Sequence, residues 1–82
     1  MEIKIQWKND EGTRYLLTLR YNGVDYYGLC AVRKKDSDDW YLFEPNSEVG
    51  DRKYKYYRFS KDTRKEILDA FLAIKDNYKK GE

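Results

Sequence analysis

The segment that decides the fold is TRYLLTLRYNGVDYYGLCAVRK, residues 13–34. At its centre Asn22-Gly23 favours a type I′ turn, because both residues accept the positive φ angles that this two-residue hairpin loop requires. Apolar and polar residues alternate on either side of the turn, as they do in strands with one buried face. The segment therefore predicts a β-hairpin whose strands span about residues 13–21 and 24–34.

The two-residue loop also sets the cross-strand register, since a slip of one residue turns every side chain to the other face. With unbroken pairing, the apolar face is predicted to carry Tyr15, Leu17, Leu19, Tyr21, Val24, Tyr26 and Cys30. The opposite face is predicted to carry Arg14, Leu16, Thr18, Arg20, Tyr27 and Leu29. In this register Leu16 lies across from Leu29, and Arg20 lies across from Asp25. Cys30 is then a buried and inert cysteine.

The hairpin is flanked by weaker strand signals. Further strands are predicted over about residues 2–8, 40–44 and 52–59. In the first of these, Ile3, Ile5 and Trp7 alternate with polar residues, which predicts that the three share the buried face. In the last, Tyr57 and Phe59 are predicted to face inward. The polar segments 35–39 and 46–51 are predicted to be loops.

After Ser60 the apolar residues recur at helical spacing. The stripe consists of Ile67, Phe71, Ile74 and Tyr78, with Leu68 and Leu72 beside it. A helix over about residues 61–79 is therefore predicted, with Ser60 or Thr63 as its N-cap. The fold class that follows is α+β: one domain, residues 1–82, in which a small meander-like antiparallel sheet of about five strands carries a C-terminal helix on one face.

Composition removes several function classes. The chain has no histidine, the commonest general base and transition-metal ligand. It also has no Gly-rich phosphate loop, no nucleophile triad and no cysteine cluster. We therefore expect a non-enzymatic protein with no metal and no cofactor, and an enzyme that uses only carboxylates, or Lys and Tyr, ranks third among the function classes. The acidic segment with Asp36, Asp38 and Asp39 lacks the spacing of an EF-hand loop and is interpreted as solvated.

Cysteine usage and hydropathy indicate the compartment. With Cys30 as the single cysteine, no intramolecular disulfide is possible. No stretch approaches the roughly 20 apolar residues of a membrane span, and the N-terminal residues lack the apolar run of a signal peptide. We therefore expect a cytoplasmic protein without membrane contact. Small charged chains of this kind are common among phage and mobile-element accessory proteins, an analogy that involves no motif.

The sheet face that the helix leaves uncovered is the first candidate for binding. Its predicted contact residues are Leu16, Leu29, Tyr27, Arg14, Arg20 and Arg33. An apolar cluster rimmed by arginines is typical of a protein contact or a homodimer seam. The leading hypothesis is a protein-binding module, inhibitor-like or adaptor-like, whose partner is another protein or a second copy of the chain. A curled sheet or scattered surface residues would explain the same pattern without function.

The last predicted strand is the second candidate. Basic residues and tyrosines interleave there as Arg52, Tyr54, Tyr56 and Arg58. Cations neutralise phosphates and tyrosine rings stack on bases, so the pattern suits single-stranded nucleic acid, and Arg14, Arg20 and Tyr27 would extend it into one platform. The net charge of +2 is small for a polyanion binder, and both residue types are ordinary on a solvent-facing strand. The nucleic-acid hypothesis therefore ranks second.

Overall fold

A computed structural model describes residues 1–49 and 52–78 of the protein, with the side chains of residues 47–55 outside the described part. The strands in chain order are β1 Glu2–Lys8, β2 Arg14–Tyr21, β3 Val24–Arg33, β4 Trp40–Phe43, β5 Asn46–Val49 and β6 Arg52–Lys55. Helix α1 spans Lys61–Ile74, and a 3₁₀ turn, Lys75–Asn77, follows it. Strands β1 to β4 form an antiparallel sheet in that order, and β5 and β6 pair separately. The predicted α+β class is confirmed.

The central hairpin forms as its turn residues predict. Asn22 and Gly23 have φ angles of 52° and 77°, as a type I′ turn requires. Next to the turn Tyr21 pairs with Val24, and the predicted register holds there.

The pairing changes beyond Leu19. Strand β3 contains one residue more than β2 at this point, so that Leu17 pairs with Leu29 instead of Gly28. The extra residue makes a β-bulge at Tyr27-Gly28. The predicted unbroken register was therefore wrong from this point on, and every later residue of β3 is turned to the opposite face.

Gly28 allows the bulge because it has no Cβ. Its φ is +83°, a conformation that other residues rarely adopt, and a Cβ there would lie 3.4 Å from the side chain of Pro45. The hydroxyl of Tyr57 donates a 2.6 Å hydrogen bond to the carbonyl oxygen of Tyr27, which gives the bulged backbone a partner. The bulge is therefore held by contacts from residues distant in sequence.

A second bulge lies on the other side of β2. Ile5 pairs with Leu17 and Trp7 pairs with Leu16, so Gln6 is the extra residue of β1. Trp7 was predicted to share the buried face with Ile5, and this was wrong, because the bulge turns Trp7 to the opposite face.

The core lies between the sheet and α1. Its buried side chains are Tyr15, Leu17, Leu19, Leu29, Ala31, Leu42, Ile67 and Phe71. The ring of Phe71 packs edge-on against Tyr15 and Trp40, with centroid distances of 4.9 and 5.2 Å. Ile67 and Phe71 of the predicted helical stripe are both fully buried. Leu29, predicted on the uncovered face, is instead a fully buried core residue.

The start of α1 is tied to the end of β4. Ser60 caps the helix, since its hydroxyl accepts a 3.2 Å hydrogen bond from the backbone N–H of Thr63. The fully buried carboxylate of Glu44 lies 2.6 Å from Nη2 of Arg64 and accepts a 3.1 Å bond from the N–H of Phe59. This charged pair fixes the position of the helix relative to the sheet.

The predicted last strand, 52–59, is only partly a strand. It ends at Lys55 and pairs with β5, a segment predicted as loop, so it does not extend the four-stranded sheet. Tyr57 and Phe59 turn inward as predicted, with ring centroids 5.0 and 4.9 Å from that of Tyr26. The strand ends at Lys55 because the rings of Tyr57 and Phe59 both pack on the core, and the backbone that carries them is irregular.

The bulge predicts very different roles for two leucines that an unbroken register would pair on one face. Leu29→Ala should lower the free energy of unfolding by about 2–5 kcal/mol, because it opens a cavity in the core. Leu16→Ala should lower it by about 1 kcal/mol or less, because Leu16 is partly exposed. Urea unfolding followed by circular dichroism measures both values, and equal losses would contradict the bulged register.

Candidate functional site

The face of the four-stranded sheet that points away from α1, the open face, carries a continuous line of apolar side chains. The two bulges bring Trp7, Leu16, Cys30 and Phe43 into direct cross-strand pairing, one residue from each strand. We call these four residues the apolar row. Because neighbouring strands lie about 4.8 Å apart, the row spans about 15 Å. Trp7, Leu16 and Phe43 are 46%, 37% and 50% exposed.

A second pair widens the row. Val32 pairs with Tyr41 beside it, and the Tyr41 ring lies 6.3 Å from that of Phe43. Tyr41 is 46% exposed, so three aromatic rings present about half of their surface to solvent. At roughly 150–250 Å² for each ring, the exposed aromatic area is about 300 Å². Patches of this size on small proteins are often interaction sites.

Polar residues occupy the other end of the open face. A shallow groove of about 610 Å³ lies there, lined among others by Lys4, Thr18, Arg20, Asp25 and Tyr27. Arg20 donates hydrogen bonds of 2.8 and 3.3 Å to the Asp25 carboxylate. This bond raises the pKa of Arg20 and lowers the pKa of Asp25. The pair therefore stays ionised and nearly cancels its own charge.

Cys30 belongs to the open face, which corrects its predicted place in the core opposite Tyr15. The bulge moves it across from Leu16, where it is a half-buried free thiol. Burial raises the pKa of the Cys30 thiol, so it remains protonated at neutral pH. The charge of Arg14 lowers the pKa of the thiol by less than burial raises it, so Cys30 acts in the row as a small apolar residue.

The predicted protein-contact residues are divided between the two faces. Leu16, Tyr27, Arg14 and Arg20 lie on the open face, where Tyr27 is 65% exposed. Leu29 lies in the core, and Arg33 falls by the same alternation on the helix side, with an exposed side chain. The bulge explains both corrections, since it reverses the faces of β3 beyond Tyr27.

Sequence reasoning missed most of the apolar row. A glycine inside a strand pattern is a known sign of a bulge, and Gly28 was that sign. The strand Trp40–Phe43 offered a second sign, because four consecutive apolar residues must place two side chains on each face. Trp7 carried no comparable signal, since its strand alternates cleanly through Gln6.

The predicted nucleic-acid residues lie on, or directly after, a strand that does not belong to the four-stranded sheet. Tyr56 is 72% exposed and Arg58 is also exposed, whereas the side chains of Arg52 and Tyr54 lie outside the described part. Strand β6 pairs with β5 and not with the four-stranded sheet. The predicted platform with Arg14, Arg20 and Tyr27 therefore does not arise from pairing within one sheet, and it stays a prediction.

Comparison of the chain with protein-family models, with curated proteins and with solved structures finds no match in any of the three. Among the described residues, no helix has the length and apolar character needed to cross a membrane. Across residues 1–49 and 52–78, no three acidic or cysteine side chains converge in a way that suits a metal ion. The open face therefore stands as the candidate site on its geometry.

The hydrogen bond from Tyr57 that holds the bulge should make the stability of the protein depend on pH in the alkaline range. Burial, with the charge of Glu44 and the nearby Tyr26, raises the pKa of Tyr57 to about 12, above the ordinary 10.0. Its contribution to stability is therefore complete below pH 10 and is lost as the pH rises through 12. Because the ring is partly exposed, we expect a loss of only about 1 kcal/mol.

Ultraviolet absorbance of tyrosinate, followed against pH, tests this directly. The tyrosine that titrates at about pH 12 should disappear in Tyr57→Phe. Superimposable alkaline ends of the titration curves of the wild type and Tyr57→Phe would contradict the raised pKa of Tyr57.

Proposed function

We propose that the chain is a non-enzymatic protein-binding module, inhibitor-like or adaptor-like, that binds its partner with the open face. The observation that carries this proposal is the apolar row, which crosses all four strands of the sheet on the side without a helix. Interface centres are enriched in aromatic residues and depleted in charge, and charged residues surround them. The row has this composition, with Arg14 on one side and the Arg20–Asp25 pair on the other.

The exposed area of the apolar row limits its contribution to the free energy of binding. Covering about 300 Å² of aromatic surface contributes about 7 kcal/mol at 25 cal/mol per Å², before the cost of association is subtracted. A stable protein interface buries about 800 Å² on each partner. The apolar row therefore has the size of an interface centre, and the polar groove beside it supplies the rim.

The charge of the open face favours a protein partner over nucleic acid. Phosphate binding needs cations that are free to replace counterions. Arg20 is held by Asp25 within hydrogen-bond distance, and Glu2 adds a further negative charge at the same end. With Lys4 and Arg14 counted as well, three cations and two carboxylates give this face a charge of +1, which is small for a phosphate-binding surface. The role is proposed for the cytoplasm, because Cys30 is a free thiol.

A charge placed in the row should abolish association without unfolding the protein. We expect Leu16→Asp and Phe43→Asp to lose capture of a partner from the source-cell lysate, or to lose self-association in sedimentation, by at least about tenfold. Both side chains are partly exposed, so the fold should survive. Circular dichroism and urea unfolding verify that it does.

Leu72→Asp is the matched control. Leu72 lies on α1 and is 38% exposed, nearly the same as the 37% of Leu16, but it is not on the open face. It should therefore leave association unchanged. Equal effects of the Leu16 and Leu72 substitutions, or a wild type that neither self-associates nor captures a protein, would count against the proposal.

Single-stranded nucleic acid is the second candidate function, supported by the exposed Tyr56 beside Arg58. It predicts oligonucleotide affinity that falls steeply with salt, because counterion release drives the binding. Intrinsic fluorescence titrated with single-stranded DNA and RNA at two salt concentrations measures it, and Tyr56→Ala/Arg58→Ala should weaken it. Absence of binding at micromolar protein and low salt would exclude this candidate.

A further inference from the structure

The two outer strands of the sheet differ in how their free edges are protected. Strand β1 carries Glu2, Lys4 and Lys8 and a bulge at Gln6, all features that discourage pairing with another strand. Strand β4, Trp40–Phe43, has no charge, no proline and no register shift, and it is only four residues long. Among the described residues, β3 is the only strand that pairs with it. Within the described part of the chain, the outer backbone groups of β4 therefore have no strand partner.

A groove runs beside this edge. It has a volume of about 440 Å³ and lies between β4 and the first two turns of α1. Trp40 and Leu68 contribute apolar surface, and Lys61, Arg64 and Lys65 contribute cations from the helix. Asp62 is the acidic residue among those that line it, and Arg64 is partly engaged by the buried Glu44. The helical wall of the groove keeps a positive balance.

We propose that β4 accepts an extended, acidic segment of a partner protein as an added strand, seated in the groove between β4 and α1. Main-chain hydrogen bonds to the β4 edge would supply affinity, as in other cases of strand addition. Side chains of an added strand alternate in direction, so every second residue of the segment faces the helix. Acidic residues at those positions would lie near Lys61 and Lys65.

The positive charge of the groove favours an acidic segment of a partner protein over a second copy of the chain. Two copies paired edge to edge through β4 would place both helices on the same side of one continuous sheet. Lys61, Arg64 and Lys65 of each copy would then approach their counterparts, and like charges so placed disfavour association. An acidic segment removes this repulsion and gains attraction from the same groups.

The inference is independent of the proposed role of the open face, and the two surfaces can be separated by substitution. The probe is a fluorescein-labelled heptapeptide of alternating glutamate and valine, and its matched control is the lysine–valine heptapeptide. Fluorescence anisotropy at two salt concentrations measures the affinity of the whole chain for each. We expect the acidic peptide to bind at least about tenfold more tightly, with weaker binding at high salt.

Charge reversal identifies the surface. Lys61→Glu/Lys65→Glu should weaken binding of the acidic peptide about tenfold. A glutamate at the first helical position suits the helix dipole, so the fold should persist, as circular dichroism verifies. Lys4→Glu/Lys8→Glu makes the same charge change at the opposite edge of the sheet and should alter affinity by less than about twofold. Leu16→Asp, on the open face, should bind the peptide normally.

Amide resonances report the mode of binding. Addition of the acidic peptide to the wild type should shift the backbone amides of β4 and of the first turns of α1, and leave those of β1 in place. The inference is overturned if the acidic peptide does not bind at millimolar concentration, if both charge reversals weaken it equally, or if the shifts lie on the open face. If the protein self-associates and Lys61→Glu/Lys65→Glu alters this association, the β4 edge binds a second copy of the chain. That result also overturns the inference.

Discussion

The β-bulge at Tyr27-Gly28 is the constraint on which the two sides of this sheet depend. It requires a positive φ at Gly28 and is held by the hydrogen bond from the Tyr57 hydroxyl. Beyond it, Leu29 and the residues that alternate with it turn toward α1, while Cys30 turns outward. A sheet of the same sequence without the extra residue would place a leucine on the open face and a thiol in the core. One extra residue in β3 therefore separates two different surfaces.

The packing of α1 on the sheet is stabilised by polar as well as apolar contacts. Phe71 and Ile67 fill the space over the sheet, and the buried carboxylate of Glu44 ties Arg64 of α1 to the end of β4. Because replacement of Arg64 would take a cation away from the buried carboxylate of Glu44, this contact helps to specify where the helix lies. The backbone N–H of Phe59, bonded to the same carboxylate, brings the segment before the helix into the arrangement.

Strand β4 connects the two proposed binding surfaces. In four residues it places Leu42 in the core and sets Tyr41 and Phe43 on the open face, while its outer edge borders the groove beside α1. The open face offers apolar area for a folded partner, and the edge offers backbone hydrogen bonds and positive charge for an extended one. Apolar contact and backbone hydrogen bonding select different kinds of partner, so the two proposed surfaces would bind different proteins.

The sequence by itself determined the features that arise from neighbouring residues. These are the type I′ turn at Asn22-Gly23, the helical stripe with Ile67 and Phe71, and the α+β class. Only the tertiary structure decided which residues share a face beyond Leu19. An alternating pattern specifies faces as long as pairing is unbroken, whereas a bulge depends on distant contacts such as the Tyr57 hydrogen bond. The apolar row, which needs both bulges, is therefore a product of the folded sheet.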